Sequence, residues 1–487
     1  MTGESEGESM KEFDVAVIGA GAAGIAAVEI AQRNGKRVVL IEQARMGGEC
    51  TWDGCVPSKA LIRAARLRHD IGRSAEFGLR VDGVQVDFPA VMASVREAIA
   101  TIAGYEDAAR MEARGIEVRI GSARLAAGKG IRVNGEDVHA DRIIVCTGSA
   151  PSIPPIPGLN EVQYLTNENL FALGHLPNHL LIMGAGAIGL EMGQAFQRLG
   201  SQVTIIDVEK TLLPREDADI AECIHGTLRH EGLRFLLGAQ VERVSSPAGA
   251  IVLDAVVDGH SMTVHGDALL VATGRRPNME RLDLPAAGVE MGKHGIVVNR
   301  KLETTAEGIY AAGDVTGLYP FTHVAAYQAR IAADNATGNR ARADYRVVPW
   351  VIFTDPEIAH VGLTEAEARA RHGDDIHIVR LPYTAIDRAV IERQPCGLIK
   401  VIVGKKPVIG YALGGGEILG AHLVGPLAGE LLHEFVLSMQ SRTFSGRLAQ
   451  AIHAYPTMSM GVQQAAGLLF PAGRATVDLR EDLQTTD

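Results

Sequence analysis

The hydrophobic residues of this chain fall into short strand-like runs, each closed by glycine and separated by Ala-rich helical stretches. Phe13 to Ile18 runs into Gly19-Ala20-Gly21-Ala22-Ala23-Gly24, a helical stretch reaches Asn34, and a second run, Arg37 to Ile41, ends at Glu42. The same order returns later. His179 to Met183 leads into Gly184-Ala185-Gly186-Ala187-Ile188-Gly189, a helix to Leu199, and the run Gln202 to Ile206 ending at Asp207. In each copy the acid follows the last glycine by 18 residues. A further apolar run follows each copy and ends in Thr-Gly, at Thr147-Gly148 and at Thr273-Gly274. Short apolar runs bounded by turn residues read as buried strands.

Each part of this repeated unit has a physical task. The first glycine makes the tight turn, the second lets backbone approach a pyrophosphate, and the third lets helix pack on strand. The helix N-terminus offers unpaired N–H groups and partial positive charge to phosphates. The terminal carboxylate accepts hydrogen bonds from ribose hydroxyls. One such fingerprint is weak evidence, but two in register predict an α/β chain with two Rossmann-like domains and two bound dinucleotides. FAD fed by a nicotinamide cofactor is the economical pair.

Composition narrows the picture. At 487 residues the chain is too long for one core and suggests three or four domains. A net charge of −11 disfavours a general affinity for nucleic acid or anionic membrane. No apolar stretch approaches a membrane-spanning length. The polar residues 1–11 read as a disordered tail, and 472–487 as a polar one. Only five cysteines are present, which argues against a structural disulfide framework and for a reducing, cytoplasmic setting.

Two of those cysteines stand close together in Gly47-Gly48-Glu49-Cys50-Thr51-Trp52-Asp53-Gly54-Cys55-Val56-Pro57-Ser58-Lys59. A helix is expected from Ala60 to about His69, with Pro57 in its first turn. Cys55 then lies just before a helix N-terminus with Lys59 one turn on, and both features favour a thiolate. A zinc site would need further Cys or His at matching spacing nearby, and there is none, so no metal is expected here. Redox chemistry is the reading.

This segment resembles the signature of the flavoprotein disulfide reductases, the family of dihydrolipoamide dehydrogenase, glutathione reductase and mercuric reductase. The resemblance runs from about Phe13 to about Phe470. It includes Thr304-Thr305 and Ile309-Tyr310-Ala311-Ala312-Gly313-Asp314, similar to the family's second FAD motif, and Arg346 to Thr364, similar to the start of its dimerisation domain. Between the two tails it implies an FAD-binding domain split between 12–155 and 279–344, an NAD(P)-binding domain at 156–278 and an α+β dimerisation domain at 345–471 of a homodimer. Hydride would pass from the nicotinamide to FAD and then to the disulfide. By the same resemblance Cys55 is the thiol facing the flavin, Cys50 the interchange thiol, and Lys59 pairs with Glu191. FAD contacts are implied at Gly19, Gly21, Gly24, Glu42, Gly48 and Lys59, and at Thr147, Gly148, Gly313, Asp314 and Thr322. Gly184, Gly186, Gly189, Asp207, Val241 and Gly274 are implied for the nicotinamide cofactor. Asp207 suits the free 2′-hydroxyl of NADH and repels the 2′-phosphate of NADPH. NADPH-using relatives carry arginine there and again six residues on, where this chain has Leu213.

The chain departs from the pattern near its end. Members that reduce disulfides end in a motif resembling HxHPTxSE, whose second histidine, held by the glutamate, serves the partner subunit's interchange thiol. Here the segment is His453-Ala454-Tyr455-Pro456-Thr457-Met458-Ser459-Met460. Tyrosine, with a pKa of about 10, is a poor base near neutrality, whereas histidine at about 6.5 is well poised. Mercuric reductase is similar in placing tyrosine at this position. Its amino-terminal CxxC domain and its terminal cysteine pair are missing here, since no cysteine follows Cys396. The expectation is a reductase with a non-lipoamide acceptor such as Hg(II) or a quinone. Two readings stand beside it: a dihydrolipoamide dehydrogenase or small-disulfide reductase using Tyr455 or His453, and a low-turnover redox-sensing flavoprotein. Glu49, where the pattern usually has threonine, would either raise the pKa of Cys50 or point to solvent.

Overall fold

The structure is a computed structural model that describes residues 12–405 and 415–470, so the two expected tails lie outside the described residues. The chain divides into two compact units, residues 1–212 with 228–345 and residues 213–227 with 346–487.

In the first unit, the strands Glu117–Ile120, Val38–Glu42, Glu12–Ile18 and Glu136–Val145 lie side by side in that order. All run parallel, and Ile309–Ala311 joins them beside Glu136–Val145. Val15 to Ile18 are buried because the sheet is covered on both faces. On one face, Ala23, Ala27 and Ala31 of the helix Ala22–Arg33 share a cluster with Ala325, Ala329 and Ala332 of the helix Thr322–Ala336. Small side chains at these positions let both helices sit close to the strands.

A second parallel sheet runs Arg234–Leu237, Gln202–Asp207, His179–Met183, Ala268–Val271. The helix Ala187–Leu199 follows its glycine turn, and an antiparallel meander of Ala239–Ser245, Ile251–Val257 and His260–Gly266 stands beside it. The α/β class and the two doubly wound units are as the sequence implied. One element differs. The helix expected from Ala60 begins at Cys55 and continues to Gly72. Pro57 is compatible with the first turn because an N–H there has no partner within the helix. Cys55 is therefore the first residue of the helix rather than a residue before it.

The second unit is an antiparallel sheet ordered Pro349–Ile352, Glu357–Gly362, Glu417–Gly425, Leu398–Gly404, Ile376–Pro382. The helices Ala428–Gln440 and Met460–Gly467 contribute Leu432, Phe435, Val462 and Ala465 to its core. Residues 213–227 join this unit through ions. Lys400 Nζ, its side chain 2% exposed, lies 2.9 Å from Asp217, 3.1 Å from Asp219 and 2.8 Å from Glu365. Burial works against the Glu365 carboxylate, but hydrogen bonds from Lys400 and Arg369 outweigh it and hold its pKa down at about 2. A carboxyl depressed on folding stabilises above its unfolded pKa of 4.5 and loses that contribution as the pH falls toward about 2. The melting temperature should therefore fall across that window. Lys400→Met leaves carboxylates clustered without their ammonium and should destabilise at pH 7 by about 3–5 kcal/mol, with a flatter acid limb in thermal melts.

Candidate active site

The two glycine turns form matching backbone cradles. Gly19 has φ +101, and a Cβ there would lie 2.4 Å from the Cys146 carbonyl oxygen. A Cβ on Gly24 would lie 1.7 Å from the Gly19 oxygen, so helix and turn pack backbone to backbone. In the second copy, a Cβ on Gly184 would come to 2.3 Å from the Ala272 oxygen, and one on Gly189 to 1.9 Å from the Gly184 oxygen. Both following helices start without a side-chain cap, at Gly21 and Gly186. The terminal acids behave alike. Glu42 accepts the Ala20 N–H at 2.7 Å and the Ala44 N–H at 2.8 Å, while Asp207 accepts those of Ala185 at 2.5 Å and Glu209 at 2.8 Å. Each carboxylate is thus tied to the residue after the first glycine of its turn. Uncapped helix ends over glycine cradles fit a dinucleotide pyrophosphate in both places.

Other implied contacts gather around the first cradle. A Cβ on Gly48 would meet Gly21 Cα at 2.6 Å, and one on Gly313 would meet Ala23 Cβ at 3.2 Å. Asp314 accepts a hydrogen bond from Ser149 Oγ at 2.6 Å, and Thr147 donates to the Asn278 carbonyl at 2.8 Å. Gly148 and Gly274 both take positive φ in their turns. Val241 is half-buried, packed against the cluster that includes Ile206 and Leu253.

The dithiol sits between two short-range constraints. Cys50 is in the helix Gly48–Trp52, which Gly47 opens at φ 93, and Cys55 starts the next helix. Thr322, first residue of its own helix, places Oγ1 3.4 Å from each sulfur. The hydrogen bond from Cys50 is the largest influence on Cys55. With help from Thr322 and Lys59, and against burial, it brings the Cys55 thiol down to about 6. The partner effect is opposite: the same hydrogen bond, together with burial, pushes Cys50 up. When reduced, the pair shares one proton, held on Cys50, with the thiolate on Cys55. Lys59 Nζ lies 2.8 Å from Glu191, whose side chain is 6% exposed.

The departing segment is in the second unit. Tyr455 is 67% exposed, and its hydroxyl donates to Asp387 at 3.0 Å. That bond and the nearby carboxylate charge raise its pKa further. Met460 is on the same rim, with Asp387 and Tyr455. His453 is differently placed: Nε2 lies 2.9 Å from Glu434 and Nδ1 2.9 Å from the Ala451 carbonyl. Burial is the largest single influence and would lower its pKa, but the Glu434 bond and charge together with the Ala451 carbonyl outweigh it and raise the pKa. Glu434 had no sequence signal, because it comes from a helix 19 residues upstream.

Residues 13–329 match the pyridine nucleotide-disulphide oxidoreductase model, and residues 348–466 match the dimerisation domain of the same name. The chain belongs to this family. It is an FAD-dependent disulfide oxidoreductase, of a family that also uses pyridine nucleotides. A mercuric reductase of Bacillus cereus is 35% identical over 461 residues, 94% of this chain and 72% of that one. A dihydrolipoyl dehydrogenase of Thermus scotoductus is 35% identical over 94% of this chain and 98% of its own. The solved Cu(II) complex of the HOCl-induced flavoprotein disulfide reductase RclA from Escherichia coli superposes with a TM-score of 0.83 at 31% identity, covering 95% of this chain and all of that one (100%).

This disulphide oxidoreductase carries a clamp beside its first thiol. Glu49 does not point to solvent. It forms a two-pronged ion pair with Arg275, the residue immediately after Gly274, and accepts from Asn167 Nδ2 at 2.6 Å. Arg275 in turn donates to Ser149 Oγ at 2.9 Å, and Ser149 to Asp314. The carboxylate is thereby turned toward the FAD motif, and the shift of Cys50 comes from Cys55 and burial. Trp52 is occupied too: its indole N–H donates to the Met46 carbonyl at 2.7 Å, under the Arg45 guanidinium. No helix among the described residues is long and apolar enough to cross a membrane.

Proposed function

We propose that the chain acts as a cytoplasmic homodimer that draws electrons from NADH and delivers them through Cys55 and Cys50 to an acceptor other than lipoamide. A thiophilic metal ion such as Hg(II) stands first, and quinones second. FAD would be held by the first cradle with Glu42, Gly313 and Asp314, in segments 12–155 and 279–344. NADH would occupy the second cradle, in 156–278, with 345–471 supplying the dimer contacts. When bound, FAD would supply two-electron redox chemistry between the nicotinamide and the disulfide. The protein's part is to receive the electron pair as Cys55 thiolate and Cys50 thiol, with Lys59, anchored by Glu191, keeping a positive charge beside them. Asp207 would accept a hydrogen bond from the ribose 2′-hydroxyl of NADH and repel a 2′-phosphate.

The observation that carries the acceptor reading is Tyr455. It is exposed, its proton is committed to Asp387, and its pKa is raised, so it cannot supply the proton traffic that disulfide interchange needs. Metal ions and quinones make no such demand at that position. The similarity to mercuric reductases supports the same reading. The test is steady-state turnover of the FAD-loaded dimer with lipoamide, a small disulfide, Hg(II) and a quinone, each with NADH and NADPH. Hg(II) or quinone should exceed lipoamide at least about tenfold with NADH preferred, which is over 1.4 kcal/mol at the transition state. Rapid lipoamide turnover that survives Tyr455→Phe sinks the proposal.

One observation favours a second reading, a disulfide reductase. His453 has a carboxylate partner in Glu434, the arrangement an acid–base histidine needs. In that case His453→Gln would abolish lipoamide turnover while leaving quinone reduction intact.

A further inference from the structure

Away from the active dithiol, two cysteines far apart in sequence meet in the second unit. Cys223, on the helix Ala218–His230, and Cys396, in the turn before the strand Leu398–Gly404, place their sulfurs 3.9 Å apart. Cys396 is exposed and Cys223 half-buried, so a reagent can reach the first and the second can follow. Thr227, one turn after Cys223, sets its hydroxyl 3.6 Å from the Cys396 sulfur.

The approach is held from both sides. Gly397 takes φ +144, and a Cβ there would lie 2.2 Å from the Val424 oxygen, so the backbone beside Cys396 is seated against the neighbouring strand. The Gly397 carbonyl accepts the Tyr383 N–H at 3.0 Å. On the other side, Asp219 stands one turn before Cys223 and bonds Lys400, just beyond Cys396 in sequence, at 3.1 Å. The helix and the strand are therefore pinned in register within one turn of the two sulfurs. A disulfide needs about 2.05 Å between sulfurs, and side-chain rotation is the natural way to close the remaining gap.

We propose that Cys223 and Cys396 form a second, reversible dithiol–disulfide site, independent of Cys50 and Cys55, that reacts with low-molecular-weight disulfides. The Cys396 thiolate attacks one sulfur of the small disulfide, forming a mixed disulfide and releasing one thiolate. Cys223 then attacks the Cys396 sulfur and expels the second thiolate, which takes up the Cys223 proton. Each protein sulfur loses one electron, and the small disulfide is reduced to two thiols. The hydrogen bond from Cys223 brings Cys396 down to about 6, which favours this order of attack. Closure ties residues 213–227 covalently to the strand sheet they pack on.

The test uses the FAD-loaded full-length protein equilibrated in graded mixtures of oxidised and reduced glutathione, acid-quenched, alkylated and mapped by peptide mass. The expected result is a Cys223–Cys396 linked peptide, two hydrogens lighter than the separate thiols, that grows with the oxidised fraction and disappears with dithiothreitol. Cys50–Cys55 provides an internal positive control, and Cys146, buried with its thiol pushed up, should stay reduced. Cys223→Ser should trap glutathione on Cys396, whereas Cys396→Ser should leave Cys223 unmodified. Both variants should keep wild-type quinone turnover. A wild-type protein that accumulates glutathione on Cys396 with Cys223 still alkylated, or that alkylates at both cysteines in every mixture, overturns the proposal.

Discussion

Cys50→Ser and Cys50→Ala should both remove the disulfide that takes up the electron pair, while only the alanine variant disturbs the Cys55 thiolate. Loss of a covalent nucleophile is felt as about 10³-fold or more in turnover, so reduction of any acceptor that uses the interchange thiol should fall by at least that much. Cys55 separates the two variants. Its low pKa of about 6 depends first on a hydrogen bond from residue 50 and then on Thr322 and Lys59. Serine keeps a donor there, so the Cys55 thiolate should persist to mildly acidic pH. Alanine removes the donor, and the pKa should climb toward the free-thiol value of about 8.5. Thiolate absorbance or the pH dependence of alkylation measures this directly. Quinone reduction at the flavin should survive both changes. An alanine variant whose Cys55 still titrates near 6 would show that another group sets the thiolate.

The second large effect is a gain. Tyr455→His should raise lipoamide turnover, and Tyr455→His with Met460→Glu should raise it by about 10²-fold or more, the range over which a positioned general acid–base acts. The structure supplies a reason beyond motif matching. Asp387, which now accepts a hydrogen bond from the tyrosine hydroxyl at 3.0 Å, puts a carboxylate on the same rim as position 455. A histidine held by a carboxylate has a raised pKa and an oriented ring. If neither variant gains tenfold, the missing histidine is not what limits this enzyme, and the Glu434–His453 pair becomes the centre of attention. Tyr455→Phe should change little with Hg(II) or quinone, because the hydroxyl is bound away to Asp387.

Much of this protein was legible in its residue order. Both glycine fingerprints act within one turn of chain, where a Cβ would strike backbone, so their identity and spacing decide the geometry. The terminal acids Glu42 and Asp207 were readable for the same reason: strand, helix and second strand set their distance from the glycines. The six residues from Cys50 to Cys55 needed only a local turn and a following helix, although that helix starts at Cys55, ahead of the expected Ala60.

What the order of residues left open were the partners brought together by folding. Glu49 was free to face Cys50 or solvent until the strand carrying Arg275, distant in sequence, closed on it. His453 looked like an isolated residue until the helix Ala428–Gln440 brought Glu434 to it. Cys223 and Cys396 are 173 residues apart, and no local periodicity connects them. Short-range sterics and strand–helix spacing are written in neighbouring residues, so the sequence alone determined the two glycine cradles and the close pairing of Cys50 and Cys55. Charge pairing and thiol pairing depend on which distant segments share a surface. That is a property of the packed chain, and only the tertiary structure decided it.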